Sequence, residues 1–247
     1  MLSASALQSL PRLALLDLSH NQLAALPPTI FHQAATLQKL FLQNNSLSLL
    51  SSEIFSGLES LLLLNISHNS LTSHLLSDTI FSGLHKLVAL DLSHNSLTKL
   101  ESRVLAEQNN LQILNLQHNS LASIEAGSFR ALINLHILLL SHNQLPELDP
   151  GSLASLTSLS SLSLDHNRLT LVPPRLFQGC PLLQDLALNN NYLDDIPSDI
   201  SSLAKLRTLD LGENRITAVA AHQLENLGSL YGLRLAGEQN SSLYDYL

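Results

Sequence analysis

The chain has 247 residues, of which 45% are hydrophobic and 4% aromatic, with no tryptophan, so we expect a core of aliphatic side chains. Its 12 basic and 20 acidic residues give a formal net charge of −8. Without a basic stripe there is little to neutralise a phosphate backbone, so no nucleic acid is expected as a general partner. Residues 1–12 lack the charged start and apolar stretch of a signal peptide, and no apolar run approaches the roughly 18 residues of a membrane helix. We therefore expect no signal peptide, no transmembrane helix and no direct membrane insertion by this chain.

A repeat runs through nearly the whole sequence. An asparagine returns at intervals of 23 to 26 residues, at Asn21, Asn45, Asn69, Asn95, Asn119, Asn143, Asn167, Asn191 and Asn214. Leucines keep fixed offsets from it in the pattern L-x-x-L-x-L-x-x-N-x-L-x-x-L, and an aromatic or aliphatic residue follows later, as at Phe55 and Phe129. This pattern, with a period of about 20–29 residues, is typical of leucine-rich repeats.

The repeats divide the chain in order. We predict one domain, with a half repeat at 1–12, nine full repeats at 13–229 and an incomplete tenth at 230–247; terminal caps are missing, so we expect a fragment of a longer array. Each repeat begins with a short strand whose leucines point inward, because alternate side chains lie on opposite faces. The predicted fold class is α/β, a leucine-rich-repeat solenoid. It would form a curved horseshoe with a parallel β-sheet on the concave face and irregular or short helical segments on the convex side.

Three features complete this predicted scaffold. Two extra residues near Ser73 to Ser77 predict a small bulge outside the strand near His74. Cys180 occupies the position of Leu132 or Leu156 in other repeats, which favours a buried thiol over a reactive or pairing one. The nine repeat asparagines lie where the strand turns inward, and a buried amide there can both donate and accept hydrogen bonds. We therefore predict that they form a structural ladder.

Six histidines directly precede a repeat asparagine: His20, His68, His94, His118, His142 and His166. Several fall in consecutive repeats, so their side chains can stack at about the strand spacing along one edge of the concave face. The preferred interpretation is that serine-histidine-asparagine is a common filler of this repeat. One alternative is a pH switch, because imidazoles brought together would gain repelling charges on acidification. Zinc capture is the other, but this spacing does not lead us to predict a metal site.

Outward-facing strand positions become apolar in the third to sixth repeats. The side chains concerned are Phe41, Leu62, Leu63, Val88, Ala89, Ile113, Ile137 and Leu139. Because strand residues that face water are usually polar, a contiguous apolar patch favours a protein-binding site. Scattered surface aliphatics, or contact with another part of the same protein, are the alternatives.

Later repeats offer mixed charge on the same face, at Asp165, Asp185, Arg207, Asp210, Glu213 and Arg234. A solvated surface is the preferred interpretation, although such charges can also orient a ligand.

Three Asn-x-Ser sequons predict glycosylation at Asn44, Asn65 and Asn240 if the chain is exported. Asn65 would project from the concave strand, so a glycan there would cover part of the apolar patch and confine a ligand to one side. Sequons are short and also arise by chance.

Repeats of 24 residues with phenylalanine at the nineteenth position resemble the extracellular class of leucine-rich repeats. From Leu176 to Leu235 the chain reads LFQGCPLLQDLALNNNYLDDIPSDISSLAKLRTLDLGENRI, followed by LGSLYGLRLAG. This stretch resembles the middle of arthropod Toll receptor ectodomains of the Tollo-like and 18-wheeler-like group. The resemblance implies a cell-surface receptor ectodomain whose partner is a cystine-knot cytokine of the Spätzle type or another receptor. Runs such as LDLSHNSL are also similar to chaoptin, a lipid-anchored adhesion protein.

No catalytic constellation accompanies the repeats. A phosphate-binding glycine loop, G-x-S-x-G and H-E-x-x-H are absent from the sequence, so we predict no enzyme activity and no cofactor. The predicted function is a ligand- or protein-binding fragment of a Toll-like receptor ectodomain, which engages a protein partner through its concave face. We expect it on the extracellular side of the plasma membrane as part of a longer receptor. A chaoptin-like adhesion protein and a cytosolic scaffold are the alternatives.

Overall fold

The structure, a computed structural model, describes residue 3 and residues 6–237. The strands in these residues are β1 Leu15–Asp17, β2 Lys39–Phe41, β3 Leu63–Asn65, β4 Ala89–Asp91, β5 Lys99–Leu100, β6 Ile113–Asn115, β7 Ser123–Ile124, β8 Ile137–Leu139, β9 Ser161–Ser163, β10 Asp185–Ala187, β11 Thr208–Asp210 and β12 Gly232–Arg234. All except β5 and β7 stack in chain order into one 10-stranded parallel sheet, whereas β5 and β7 pair with each other.

Each strand of the large sheet centres on an inward leucine. Along β6, Leu114 is fully buried, whereas Ile113 on one side is 38% exposed and Asn115 on the other is partly buried. The central residues of neighbouring strands are in direct register, as in Leu90, Leu114 and Leu138. A ladder of leucines therefore lies beneath the sheet, and the alternate side chains project from its concave face.

The return segments on the other side of the core consist of turns and short helices. The helices in the described residues are all of the 3-10 type, at Ser73–Leu75, Leu176–Gly179, Ser198–Ser202 and Ala221–Gln223. Phe31, Phe55 and Phe81 stack in sequence, with ring centroids 6.2 and 6.1 Å apart. The predicted leucine-rich-repeat solenoid is confirmed, and its helical content is 3-10 rather than α within the part of the chain described.

The repeat asparagines tie successive repeats together. Asn119 Nδ2 donates to the carbonyl oxygens of Leu92 at 3.0 Å and Leu116 at 3.1 Å, and its Oδ1 accepts the backbone N–H of Leu97 at 3.0 Å. The Leu92 carbonyl also accepts a bond from Asn95 at 3.1 Å. Two successive amides thus share one carbonyl, so the ladder couples each repeat to its neighbours.

Burial changes along this asparagine ladder. Members from Asn119 to Asn214 are buried, whereas Asn21 is exposed. Asn21 Nδ2 donates to the carbonyl oxygens of Leu18 at 3.1 Å and Ser19 at 2.9 Å, both within its own repeat. The first asparagine therefore makes its bonds inside one repeat, while those further along also bridge two.

The two extra residues of the third repeat accompany the 3-10 helix Ser73–Leu75. Ser73 is 6% exposed, and its hydroxyl donates to the Lys99 carbonyl at 2.8 Å while accepting the N–H groups of Thr98 and Lys99 at 2.9 Å. His74 is exposed. The insertion lies outside the large sheet, as expected, and is bonded to the following repeat at β5.

Ala34, Gln108 and Cys180 occupy the buried position that is leucine in most repeats. Cys180 is fully buried with its thiol 3.7 Å from the Leu153 carbonyl, and burial raises the pKa of this thiol to about 12. The prediction of a buried thiol is confirmed. Gln108, at a position that corresponds to Leu132, is 1% exposed and donates to the Phe81 carbonyl at 2.8 Å. A buried amide is thus accepted in the core because a carbonyl of the preceding repeat pairs with it.

Candidate partner-binding surface

The concave face carries a continuous row of apolar side chains. Leu63, Ala89, Ile113 and Ile137 lie in direct register on β3, β4, β6 and β8, and we call these four residues the apolar column. Ile113 is exposed and the other three are partly buried. Since parallel strands are about 4.8 Å apart, the column gives roughly 14 Å of uninterrupted apolar surface.

The other residues of the predicted patch fall into two groups. Leu62 and Val88 directly precede the first two members of the apolar column and widen it; both are partly buried. Phe41 and Leu139 lie in the second column, on the other side of the buried leucines. They are separated there by three polar residues, Asn65, Asp91 and Asn115. The structure thus brings six of the eight side chains together and leaves these two at separate points of the face.

The polar residues of the second column have a local structural use that the sequence analysis did not identify. Asp91 Oδ1 accepts the backbone N–H of Ser93 at 2.9 Å, and the same contact forms at Asn65 and Asp210. Each of these hydrogen bonds closes a turn directly after the strand. The next residue has a left-handed backbone, as at His94, whose φ is 51°. An aspartate or asparagine four positions before a repeat asparagine is the feature of the sequence that predicts such a turn.

The later part of the concave face is polar and hollow. Thr208 Oγ1 donates to Asp185 Oδ1 at 2.5 Å, and Arg234 Nη1 lies 3.7 Å from Asp210 Oδ2. Small side chains leave a shallow depression of about 320 Å³, whose lining includes Ser161, Ser163, Asp185, Asp210, Gly232 and Arg234. Three predicted charged residues, Asp165, Arg207 and Glu213, lie outside this lining. Most of the charges in the depression are therefore already paired with neighbours.

Five histidines form a stack along one edge of the concave face. The rings of His68, His94, His118, His142 and His166 lie face to face, with centroids 3.8 to 4.1 Å apart and interplanar angles of 11° to 14°. We call these five residues the histidine ladder. Each has a φ between 50° and 55°, as do Asn44 and Asn190 in the same column. Histidine and asparagine enter this left-handed region more readily than most residues, which gives a backbone reason for their recurrence.

Two members of the ladder, His94 and His142, have lowered pKa values. Burial lowers the pKa of His94, with further lowering from His68 and His118 and a small opposing effect of Asp91. Burial also lowers the pKa of His142, again helped by its neighbours in the stack. The sixth predicted histidine, His20, lies apart from this stack, with its Nε2 3.5 Å from Asn44 Nδ2.

The predicted glycosylation sites differ in setting. Asn65 lies on β3, and its Oδ1 accepts bonds from the N–H and the hydroxyl of Ser67 at 2.9 and 2.8 Å. A glycan would be attached at the other atom of the amide, Nδ2, two residues from Leu63 and therefore beside the first member of the apolar column. Asn44 lies on the edge with the histidines, and Asn240 lies outside the described residues.

The fold is shared with chains of several solved complexes. A chain of the TLR13–ssRNA13 complex matches with a TM-score of 0.84 and 30% identity over 96% of this chain and 34% of that chain. A chain of the Toll–Spätzle complex from Drosophila matches with a TM-score of 0.74 and 25% identity, over 95% and 34%. A chain of the octameric complex of Latrophilin 3, Unc5D and FLRT2 matches with a TM-score of 0.82 and 26% identity, over 94% and 69%.

Sequence relatives match over shorter stretches. Lumican from Gallus gallus is 41% identical over 69 residues, which are 28% of this chain and 19% of lumican. Fibromodulin from Sus scrofa is 36% identical over 70 residues, which are 28% of this chain and 46% of that sequence. The match thus spans less than half the length of these relatives. Among the described residues, no helix has the length and apolarity needed to cross a bilayer.

The family match covers almost the entire chain. The leucine rich repeat profile matches residues 1–47, 11–71, 35–97, 72–121, 109–169, 157–216 and 181–239. Together with the stacked parallel strands and the asparagine ladder, these overlapping matches show that the chain belongs to the leucine-rich-repeat family.

Proposed function

We propose that this chain is a ligand-binding part of a Toll-like cell-surface receptor ectodomain, and that it binds a protein partner through the apolar column without catalysis. The observation that carries the proposal is the column itself, four apolar side chains in register on a concave sheet face. Apolar anchors at the centre of an interface, surrounded by polar groups that exclude water, supply most of the binding energy in protein complexes.

The Toll–Spätzle and TLR13–ssRNA13 complexes suggest different classes of partner, a protein and an RNA. The Toll–Spätzle complex is an assembly of a receptor with a protein ligand, and this chain shares its fold over 95% of its own length. By likeness we propose a Spätzle-type cytokine or another receptor as the partner, on the extracellular side of the membrane. The charge of the concave face argues against the RNA that accompanies TLR13 in its complex. Its cations Lys39, Arg207 and Arg234 are outnumbered by acids, Asp17, Asp91, Asp165, Asp185, Asp210 and Glu213, and phosphate binding depends on basic side chains.

A second candidate function is adhesion through contacts between ectodomains. The match to the complex that contains FLRT2 favours it, because 69% of that chain is covered, compared with 34% for the Toll complex. Both candidates use a protein-binding concave face, so they differ in the partner rather than in the site.

The test is a binding measurement by surface plasmon resonance against a purified Spätzle-type cytokine and against Unc5D and Latrophilin 3 ectodomains. Ile113→Asp with Ile137→Asp places two charges in the apolar column and should weaken binding roughly 100-fold or more, because each buried anchor contributes about 2 kcal/mol. The matched control is Ile133→Asp with Leu171→Asp, two side chains outside the sheet that are 50% and 53% exposed. This control should bind like the unmodified chain.

The outcomes separate the candidates. Column-dependent binding of the cytokine supports the receptor proposal, and column-dependent binding of an adhesion-type ectodomain supports the second candidate. Equal binding by the column variant and the control would overturn the concave-face assignment. Thermal unfolding of both variants must match that of the unmodified chain, since the changed side chains are at least partly exposed.

A further inference from the structure

We propose that His142, Asp165 and His166 form a binding site for a divalent transition-metal ion such as Zn²⁺ at one end of the histidine ladder. One potential ligand atom of each residue, a ring nitrogen or a carboxylate oxygen, lies within 4.8 Å of the other two. Imidazole nitrogen and carboxylate oxygen are ligands that Zn²⁺ accepts. The proposal does not depend on the partner-binding function of the concave face.

The carboxylate distinguishes this end of the ladder from the rest. Among the described residues, this is the group of histidine, cysteine and acidic side chains that is compact enough to hold a metal ion. The neighbouring pair His68 and His94 stacks at 3.8 Å but belongs to no such group. A metal therefore gains a third protein ligand at one place in the stack, and that place has an anion to offset its charge.

Asp165 is held in position by a neighbour. Ser141 Oγ donates to Asp165 Oδ1 at 2.5 Å, and Ser141 is 4% exposed, so its hydroxyl has little freedom to move away. A hydrogen bond of this kind fixes the orientation of a carboxylate ligand and leaves its second oxygen for the metal. The two side chains lie 24 residues apart in the sequence, so the sequence alone does not predict this contact.

The backbone also holds the two histidines at a fixed separation. His142 N–H donates to the Asp165 carbonyl at 3.0 Å, and Asn143 N–H donates to the His166 carbonyl at 3.2 Å. Both histidines have the left-handed backbone of the ladder, with φ of 55° and 52°. The ligands from two repeats are therefore brought together before any metal arrives, which lowers the entropic cost of binding.

Metal binding requires a rotation of the rings. His142 and His166 stack with their planes 11° apart and centroids 4.1 Å apart, so the nitrogen lone pairs of the two rings lie in separate, nearly parallel planes and do not meet at a common point. Zn–N distances are about 2.0–2.1 Å, which brings ligand atoms of a tetrahedral site to roughly 3.4 Å from one another. Both side chains are exposed, so they can turn into this arrangement. Three protein ligands leave the fourth position to water.

The experiment is titration of the untagged chain with ZnCl₂ by isothermal calorimetry, with the shift of the thermal unfolding midpoint as a second readout. We expect one ion per chain and a rise in the midpoint, because a ligand that binds the folded state stabilises it. Asp165→Asn and His166→Asn should each weaken binding roughly 10-fold or more. His68→Asn, at the opposite end of the ladder, should bind like the unmodified chain.

The variants are matched to the repeat itself. The eighth repeat carries Asn189 and Asn190 where the seventh carries Asp165 and His166, and Asn190 has a φ of 54°. Each substitution thus reproduces a natural residue of the same column, and circular dichroism should show an unchanged fold. Absence of zinc binding by the unmodified chain would overturn the proposal, and so would an equal loss in His68→Asn or full binding by Asp165→Asn.

Discussion

The concave face has an earlier part, β3 to β8, and a later part, β9 to β12. The two parts share one scaffold but differ in the polarity of their exposed side chains. From β3 to β8 the column that precedes the buried leucines is apolar, whereas from β9 to β12 it consists of Ser161, Asp185, Thr208 and Gly232. The leucines beneath the two parts are in the same register throughout. Because side chains on opposite faces of a strand have separate surroundings, the outward positions have changed while the fold stayed the same.

The largest effect is expected from a change in the asparagine ladder, because both parts of the concave face depend on it. Asn119→Ala deletes the acceptor for the Leu97 N–H and one donor to the Leu92 carbonyl. A buried donor left without a partner costs about 1–3 kcal/mol and each lost bond about 1 kcal/mol, so we expect a loss of roughly 2–4 kcal/mol. Urea unfolding followed by circular dichroism measures it.

The matched variants are Asn191→Ala and Asn21→Ala. Asn191 is 4% exposed and bonds two repeats, so its loss beneath the later part of the face should equal that of Asn119→Ala. Asn21 is exposed, and its removal should cost less than about 1 kcal/mol. A small effect at Asn191 would show that the two parts do not rest on equivalent scaffolds.

The sequence predicted the scaffold well because its determinants repeat. The leucine and asparagine positions return at a nearly constant interval, so the inward and outward faces of the strands follow from one repeat and apply to all. The patch was less well predicted, because register between strands decides which outward residues touch. Phe41 and Leu139 share a column with each other but not with Ile113 and Ile137.

Contacts between specific side chains of different repeats could not be predicted from the sequence. The bond between Ser141 and Asp165 joins residues that lie 24 positions apart and depends on their rotamers. The stacking of the histidines is the exception, because the repeat spacing predicted it and the ring contacts confirm it. The left-handed backbone that every member has was not predicted. The repeat pattern gave their column, but ring orientation is set by the turn geometry, for which the sequence offered only a weak signal.

A smaller effect is expected on how the free energy of unfolding depends on pH. It should arise in the repeats that carry the histidine ladder and not in the eighth and ninth, which have Asn190 and Glu213 in that column. The pKa of His94 in the folded chain is lowered from 6.5, first by burial and then by the charges of its neighbours in the stack. The unfolded chain therefore takes up the proton more readily. This contribution to the free energy of unfolding is present above pH 6.5 and is lost as the pH falls below it.

His94→Asn should accordingly flatten the pH dependence of unfolding between about pH 7.5 and about pH 5.5. Urea midpoints across this range provide the measurement, and asparagine is chosen because it tolerates the left-handed backbone. The groups around His94 that also act on its protonation are His68, His118, His142 and Asp91. A variant whose stability falls with acid as steeply as that of the unmodified chain would show that the stack has no part in the effect.

The smallest expected effect concerns Cys180, in the core of the later repeats, whose thiol should not react in the folded chain. Its thiol is fully buried with a pKa of about 12, so at about pH 8 iodoacetamide should leave it unmodified in the folded chain and alkylate it in urea. Mass spectrometry over time measures the reaction.

Because repeats contact only their neighbours, opening can be local. Asn191→Ala should therefore speed alkylation more than Asn69→Ala does, since Asn191 belongs to the repeat that follows Cys180 directly. Equal rates in the two variants would mean that the array opens as a single unit, and that its two parts differ only at the surface.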